Sequence, residues 1–285
     1  MIPISFAMVL LQYFGLLAWI SKAIEPIFSL LGLPGDAALA YLSGVFVCVY
    51  ACISAMGILT LTAKQITIMA IMCLISHNMI VETAVQKKTG SSAWRMVTWR
   101  MCMAFVAGYL LNIILPADST PIINGAEKFA GTLSLLEVLK NWSIDTLWLT
   151  GKVVILVTSL MFLQKLLEEF GLNIWLSKVF APLMRLMGLP RETSFLWIVA
   201  NTLGLAYGSA ILIDQVEKKK LSARSADLLN HHIAISHSLL EDTLLFVAIG
   251  AFAPWIIFPR IVIGMFATWT RRFELHFRKP SVAQP

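Results

Sequence analysis

The sequence predicts an all-α polytopic membrane protein made of two inverted-topology repeats, each with three transmembrane helices and a re-entrant helical hairpin. Composition, recurring apolar runs and an internal repeat carry that expectation. The 285 residues are 58% hydrophobic and 13% charged, against roughly 45–50% apolar and about 25% charged in a soluble domain. Apolar runs recur along nearly the whole chain, leaving little room for a separate soluble unit. The repeat pairs ISKAIEPIFSLLGLP, Ile20 to Pro34, with LSKVFAPLMRLMGLP, Leu176 to Pro190, with seven identities in fifteen positions. Further on, ISHNMIVET, Ile75 to Thr83, pairs with ISHSLLEDT, Ile235 to Thr243, and the offset grows only from 156 to 160. Tyr50 and Tyr207 fall between these anchors at offset 157. Two polar-containing matches in one order and nearly one register point to duplication.

With about 20 apolar residues needed per span, and Gly, Pro or charge as breaks, each half parses as helix, surface segment, hairpin, helix, helix. In the first half these are 5–20, 21–34, 37–62, 65–84 and 96–115; in the second, 146–165, 176–190, 193–215, 226–249 and 256–270. The first membrane repeat therefore covers 1–115 and the second 144–270. An external inter-repeat linker occupies 116–143, where Phe129, Leu133 and Leu136 form a helical stripe suited to the bilayer surface. A basic cytoplasmic tail covers 271–285. The opening MIPISFAMVLLQYFGLLAWI has neither a basic n-region nor an A-x-A site, so it is expected to stay as the first helix.

The hairpins decide the topology. A simple crossing at 193–215 would set Arg191 and Lys218–Lys219–Lys220 on opposite sides, against the positive-inside rule. A break in NTLGLAYGSA, Asn201 to Ala210, near Gly204 and Gly208 returns both flanks to one side. Three crossings plus one hairpin is an odd number of traversals, so the second copy enters inverted. With both termini cytoplasmic, in a bacterial inner membrane, sixteen of the 22 basic residues fall inside: Lys87, Lys88, Arg95, Arg100, Lys165, Lys178, Arg185, Arg191, Lys218, Lys219, Lys220, Arg224, Arg271, Arg272, Arg278 and Lys279. Lys22, Lys64, Lys128, Lys140, Lys152 and Arg260 fall at the external side. The first hairpin has only Gly44 and Gly57, near its ends, so its re-entrant form rests on symmetry and a conventional crossing stays open.

The net charge of +6 and pI near 9.2 do not indicate a nucleic-acid partner, because the basic residues are strung between apolar runs and form no face. They mark topology, with Lys218–Lys220 and the tail anchoring to lipid headgroups. Cys48, Cys52, Cys73 and Cys102 all sit in apolar stretches, where thiols serve as small hydrophobes. No disulfide framework is expected.

Ionisable side chains on apolar helices cost roughly 2.5–3.5 kcal/mol each on insertion scales, and so tend to face a pathway or bundle interior. Here they come in matched sets: Ser76, His77, Asn78, Glu82 and Thr83, then Ser236, His237, Ser238, Glu241, Asp242 and Thr243. On a regular helix Asn78 neighbours Glu82, Ser238 neighbours Asp242 and His237 neighbours Glu241, each four apart. His77 and Glu82, five apart, meet only if the helix is distorted or a neighbour bridges them. One reading makes these a midplane site for substrate or coupling ion; the other makes them hydrogen-bonding glue between helices. Asn201 and Thr202 fall where the second hairpin breaks and are candidate substrate contacts, although Gly204 and Gly208 suit close helix packing equally. Asn230, His231 and His232 read as interfacial. No H-e-x-x-h-type or C-x-x-C spacing, no G-x-S-x-G and no phosphate-binding glycine loop is present, so no metal site, cofactor or catalytic residue is expected.

Through HSLLEDTLLFVAIGA and the upstream NTLGLAYGSAILIDQ the chain resembles the nucleoside-recognition, or Gate-domain, family, most over 146–268 and more weakly over 5–115 through the repeat. That family is similar to membrane portions of concentrative nucleoside transporters, ferrous-iron permeases and spore-maturation proteins. The resemblance implies a permease-like inverted-repeat fold with no particular substrate. A small nucleoside-like, ionic or amphiphilic lipid-linked solute fits a transporter. A membrane subunit acting with a protein partner, or as a homo-oligomer, is the alternative.

Overall fold

The computed structural model describes residues 1–125 and 133–277. Lys128 and Phe129, and the tail from Arg278 and Lys279 onward, lie outside the described residues. The first half holds α1 (Ile2–Tyr13), α2 (Leu16–Ser29), α3 (Ala37–Phe46), α4 (Val49–Met56), α5 (Ala63–Ser76), α6 (Met79–Lys88) and α7 (Ala93–Ile114). The second holds α8 (Leu135–Glu169), α9 (Leu172–Leu186), α10 (Ser194–Thr202), α11 (Gly204–Glu217), α12 (Ala223–Ser236), α13 (Glu241–Val247) and α14 (Ala253–Phe277). Among the described residues four stretches are long and apolar enough to cross a membrane: 63–88, 93–114, 135–169 and 253–277. The bent pair α1 and α2 makes a fifth if it counts as one span. The protein is an integral membrane protein.

The turns between elements follow local chemistry. α1 and α2 meet at 94°, with the left-handed Gly15 at the corner, and Gly171 has the same conformation between α8 and α9. Only a residue without Cβ adopts φ values of 71° and 64° without strain. α5 begins with a capping box in which Thr62 Oγ1 accepts from the Gln65 amide and Gln65 Oε1 accepts from the Thr62 amide. Lys64 Nζ donates to the carbonyls of Asn112 and Leu115, satisfying the C-terminal end of α7.

The chain reverses within each expected hairpin. A Cβ on Gly44 would lie 3.0 Å from Cys52 Cβ, and one on Gly208 would lie 3.1 Å from Ala200 Cα. Residues eight apart on one continuous helix are separated by about 12 Å, so α3 folds back on α4 and α10 on α11. Gly44 is the counterpart of Ala200 at offset 156, and Cys52 faces Gly44 as Gly208 faces Ala200. Each half thus places one glycine at the same crossing, on opposite arms. Gly44→Val drives its side chain into Cys52 and into Cys73 Sγ, 2.6 Å from the Cβ position. It is expected to cost about 1–3 kcal/mol, read as a lower thermal midpoint in detergent. Gly57→Ala, whose nearest neighbour is 3.5 Å away, should leave the midpoint in place.

Burial ranks the helices. Within the span 63–88, 72% of the most apolar window is buried, against 28% for α7 and for α14 and 11% for α8. α5 and α12 form the centre; every residue of α12 from Ser225 to Ser236 is buried. The outer helices turn Trp94, Ile113, Leu147, Trp148, Phe162, Phe258 and Phe266 outward, as lipid-facing surfaces require.

Several expectations change. A two-stranded antiparallel sheet pairs β1 (Thr60–Thr62) with β2 (Pro121–Asn124), so the chain is not purely helical and the linker is partly tied to the end of the first hairpin. α8 starts at Leu135, from a Ser134–Glu137 capping box, so Leu136 belongs to this long helix. α14 runs to Phe277 and takes up the start of the expected tail. Asn230, His231 and His232 are buried at 0%, 2% and 0% exposure, not interfacial. Asn230 Nδ2 donates to Thr89 Oγ1 and Ser91 Oγ of the other half, whereas His231 Nδ1 meets Asp227 O and His232 Nδ1 meets Ser236 Oγ and Trp197 Nε1 within their own half. Arg100 and Arg260, expected at opposite surfaces, are both wholly buried. Cys102 is exposed, whereas Cys52 and Cys73 are buried.

Candidate functional site between two broken helices

Neither ISH segment stays helical. α5 ends at Ser76 and α12 at Ser236, and His77 and His237 follow in extended conformation, with ψ of 161° and 164°. Asn78 and Ser238 then enter the left-handed region at φ 48° and 50°. Few non-glycine residues do so, and strained backbone of this kind persists only where surroundings over-determine it. Here the surroundings are explicit. The Asn78 amide donates to the Gly44 carbonyl and the Ser238 amide to the Ala200 carbonyl, both at 3.0 Å, so each hairpin pins the break of its own half.

The breaks free carbonyls, and a buried arginine takes them. Arg100 Nε donates to Ile75 O at 2.8 Å and Nη2 to His77 O at 2.6 Å. Arg260 Nε donates to Ile235 O at 2.9 Å, and its Nη2 donates to His237 O. A guanidinium fork suits two diverging carbonyls, and its positive charge complements the negative end of a helix. Neither arginine was singled out from the sequence. The signal was there: they also stand 160 apart, in the register of the ISH segments.

With the helices broken, the side chains converge. His77 Nε2 lies 3.2 Å from Glu82 Oε1, His237 Nε2 lies 3.3 Å from the same oxygen, and the two Nε2 atoms are 3.3 Å apart. Asp242 Oδ2 is 3.6 Å from His77 Nε2. Glu82 Oε2 faces Arg100 Nη2 at 2.8 Å. All four are nearly removed from solvent, at 6% exposure for His77, 4% for Glu82, 1% for His237 and 8% for Asp242. The expectation that His77 and Glu82 meet only through distortion holds. The helical pairing of His237 with Glu241 does not: Glu241 Oε2 accepts from Gln164 Nε2 of α8 at 3.0 Å, and His237 faces the other half.

The remaining expected site residues support the breaks. Ser76 Oγ donates to Met72 O and meets Tyr41 OH at 2.9 Å. In the second half Trp197, counterpart of Tyr41, donates from Nε1 to His232 Nδ1, which also meets Ser236 Oγ at 2.8 Å. Asn201 and Thr202 stand at the tip of α10 as expected, but Asn201 Nδ2 donates back to Trp197 O and Thr202 Oγ1 to Ile198 O and Asn173 Oδ1. No contact described for either reaches the histidine–acid cluster. The tip itself does approach its neighbours: a Cβ on Gly204 would lie 3.5 Å from Ser238 Oγ and Glu241 Oε2.

Polar contacts also join the halves away from the cluster. Ser91 Oγ donates to Asp227 Oδ1, Arg271 bridges Asp227 and Glu274, and Arg95 pairs with Glu274. Lys88 meets Glu217 at 3.3 Å. Elsewhere a cavity of about 630 Å³ opens among Ser54, Ile122, Trp142, Trp148, Lys152 and Ile249. None of the expected site residues lines it.

Comparison with known proteins bears on this arrangement. The nucleoside-recognition (Gate) family matches residues 1–92, which hold the first hairpin, the first broken helix, His77 and Glu82. The chain is also 30% identical to the uncharacterized membrane protein YvoD of Bacillus subtilis (strain 168) over 254 residues, covering 87% of this chain and 80% of that protein. The chain belongs to the Gate nucleoside-recognition family. The family match falls on the first half, where the sequence showed the weaker resemblance. This Gate-family membrane protein has no match among solved structures.

Proposed function

We propose that this Gate-family protein is a permease that moves a small solute through a midplane site between two inverted repeats. One observation carries the reading. Two broken helices, one from each half, bring His77, Glu82, His237 and Asp242 together inside an apolar bundle, with Arg100 and Arg260 holding the breaks. Discontinuous membrane helices expose backbone and side-chain ligands at mid-depth, and the interface of two repeats is where alternating access acts. Units 1–115 and 144–270 are read as the repeats, joined by 116–143, with α3–α4 and α10–α11 as re-entrant hairpins. Both termini are taken to face the cytoplasm of a bacterial cell whose inner membrane holds the chain. The packing of Lys88, Arg95 and Arg271 with acids at one end supports a common side for those residues. The solute classes are nucleoside-like, ionic or lipid-linked, and the role is transport, not catalysis.

Proteoliposomes of the full chain test this with a labelled nucleoside, entrapped zinc indicator and a fluorescent lipid-linked phosphate as probes. One probe should cross faster than in empty vesicles, and His237→Ala should lower that rate at least about tenfold, a loss of about 1.4 kcal/mol, while eluting as a monodisperse folded species. Movement of none of the probes, together with a stoichiometric co-purifying partner, would transfer the assignment to a membrane subunit that works in a complex.

A further inference from the structure

We infer that His77, His237 and Glu82 form a binding site for a divalent transition-metal ion of the zinc type. The inference rests on the reading of this cluster as the binding site and names its occupant. The three ligand atoms form a nearly equilateral triangle, with edges of 3.2, 3.3 and 3.3 Å. A tetrahedral ion held at about 2.0–2.1 Å by imidazole and carboxylate sets its ligands roughly 3.3–3.4 Å apart. A hydrogen-bonded imidazolium–carboxylate pair closes to about 2.7–2.9 Å instead. Among these three atoms no edge is that short. The triangle therefore has the dimensions of one face of a metal tetrahedron, and three ligand atoms from two halves of the chain share it.

Proton placement agrees. His237 Nδ1 lies 2.7 Å from Ile233 O, and a carbonyl only accepts, so the Nδ1 atom carries the proton. A ring protonated at Nδ1 alone has its lone pair at Nε2, one of the three vertices of the triangle. Anchoring the distal imidazole nitrogen on a carbonyl is how proteins orient metal-binding histidines. Glu82 is oriented in the same manner, because Arg100 engages its other oxygen. Asp242 Oδ2 is buried, has no hydrogen-bond partner among the described residues and sits 3.6 Å from His77 Nε2, beside the three-atom group but not part of it. Two imidazoles and a carboxylate favour zinc, iron or cobalt over magnesium and calcium, which prefer all-oxygen shells. The sequence motifs for metal binding miss such a site because its ligands come from positions 160 apart.

Equilibrium dialysis of the purified full chain, stripped with chelator, against Zn²⁺ decides the matter. One equivalent should bind, Co²⁺ should give the strong visible absorption of a tetrahedral complex, and Mg²⁺ should not compete. His77→Ala, His237→Ala and Glu82→Gln should each weaken binding at least tenfold, and His276→Ala, altering the exposed histidine near the end of α14, should not. The wild-type chain supplies a second readout that depends on no variant's folding: Zn²⁺ should raise its thermal midpoint and Mg²⁺ should not. No zinc binding by the wild type, or equal binding by the three site variants, overturns the metal assignment. Zinc binding without flux of any probe upholds it and removes the permease reading; nucleoside flux by a chain that binds no zinc does the reverse.

Discussion

Arg100→Ala is expected to abolish the folded protein or to lower its stability by about 3–5 kcal/mol, the range found when one partner of a buried, hydrogen-bonded charge is removed. The substitution leaves the carbonyls of Ile75 and His77 without their donor and deprives Glu82 of its cation, all at 0% exposure of the arginine itself. At a wholly buried position in a membrane bundle no bulk solvent is at hand to replace those bonds. Arg100→Lys should rescue little, since an ammonium on a flexible stem cannot serve two carbonyls and a carboxylate with one fixed fork. Arg260→Ala should behave similarly through Ile235 and His237, but less severely, because no carboxylate pairs with Arg260 among the described ion pairs. The measurement is unfolding in detergent with elution profile as a check on assembly. A monodisperse Arg100→Ala protein with the wild-type midpoint would show that the break holds itself.

The second large effect separates two acids that occupy matched positions. Glu82→Gln is expected to lower transport at least about tenfold, and Asp242→Asn by clearly less. Glu82 touches both histidines and Arg100, whereas among the described ion pairs Asp242 reaches His77 alone, at 3.6 Å. A neutral amide keeps the shape of Glu82 but supplies neither its charge nor two acceptor oxygens. Flux in proteoliposomes, normalised to folded protein, reads the difference. Equal losses in the two variants would contradict the asymmetric geometry and restore the symmetric roles that the repeat alone suggests.

Much of the site was legible because the chain repeats polar residues where membrane helices tolerate few. The ISH segments, the acids that follow and the glycine-rich NTLGLAYGSA break stand out against leucine-rich surroundings. Periodicity, however, assumes an unbroken helix, and that assumption produced the error at His237 and Glu241. It also hid Arg100 and Arg260. Near the end of an apolar run a basic residue looks like a topology marker, and only the freed carbonyls of a broken helix give it another partner. Asn230, His231 and His232 misled for a related reason. A polar helix reads as exposed unless the groups that meet it are known, here Thr89 and Ser91 of the other half for Asn230, and Asp227 and Ser236 of the same helix for the histidines.

The sequence by itself determined the membrane class, the helical segments, the paired register of the two halves and the residue types available to a buried site. Those follow from local hydropathy and from identity between aligned segments, which need no coordinates. Tertiary structure alone decided that α5 and α12 break at the histidines, that arginines hold those breaks and that His77, Glu82 and His237 meet within 3.3 Å. The reason is physical: a backbone break in an apolar medium is stable only when distant segments satisfy the groups it exposes, and such partners are set by packing between helices, not by neighbours in the chain.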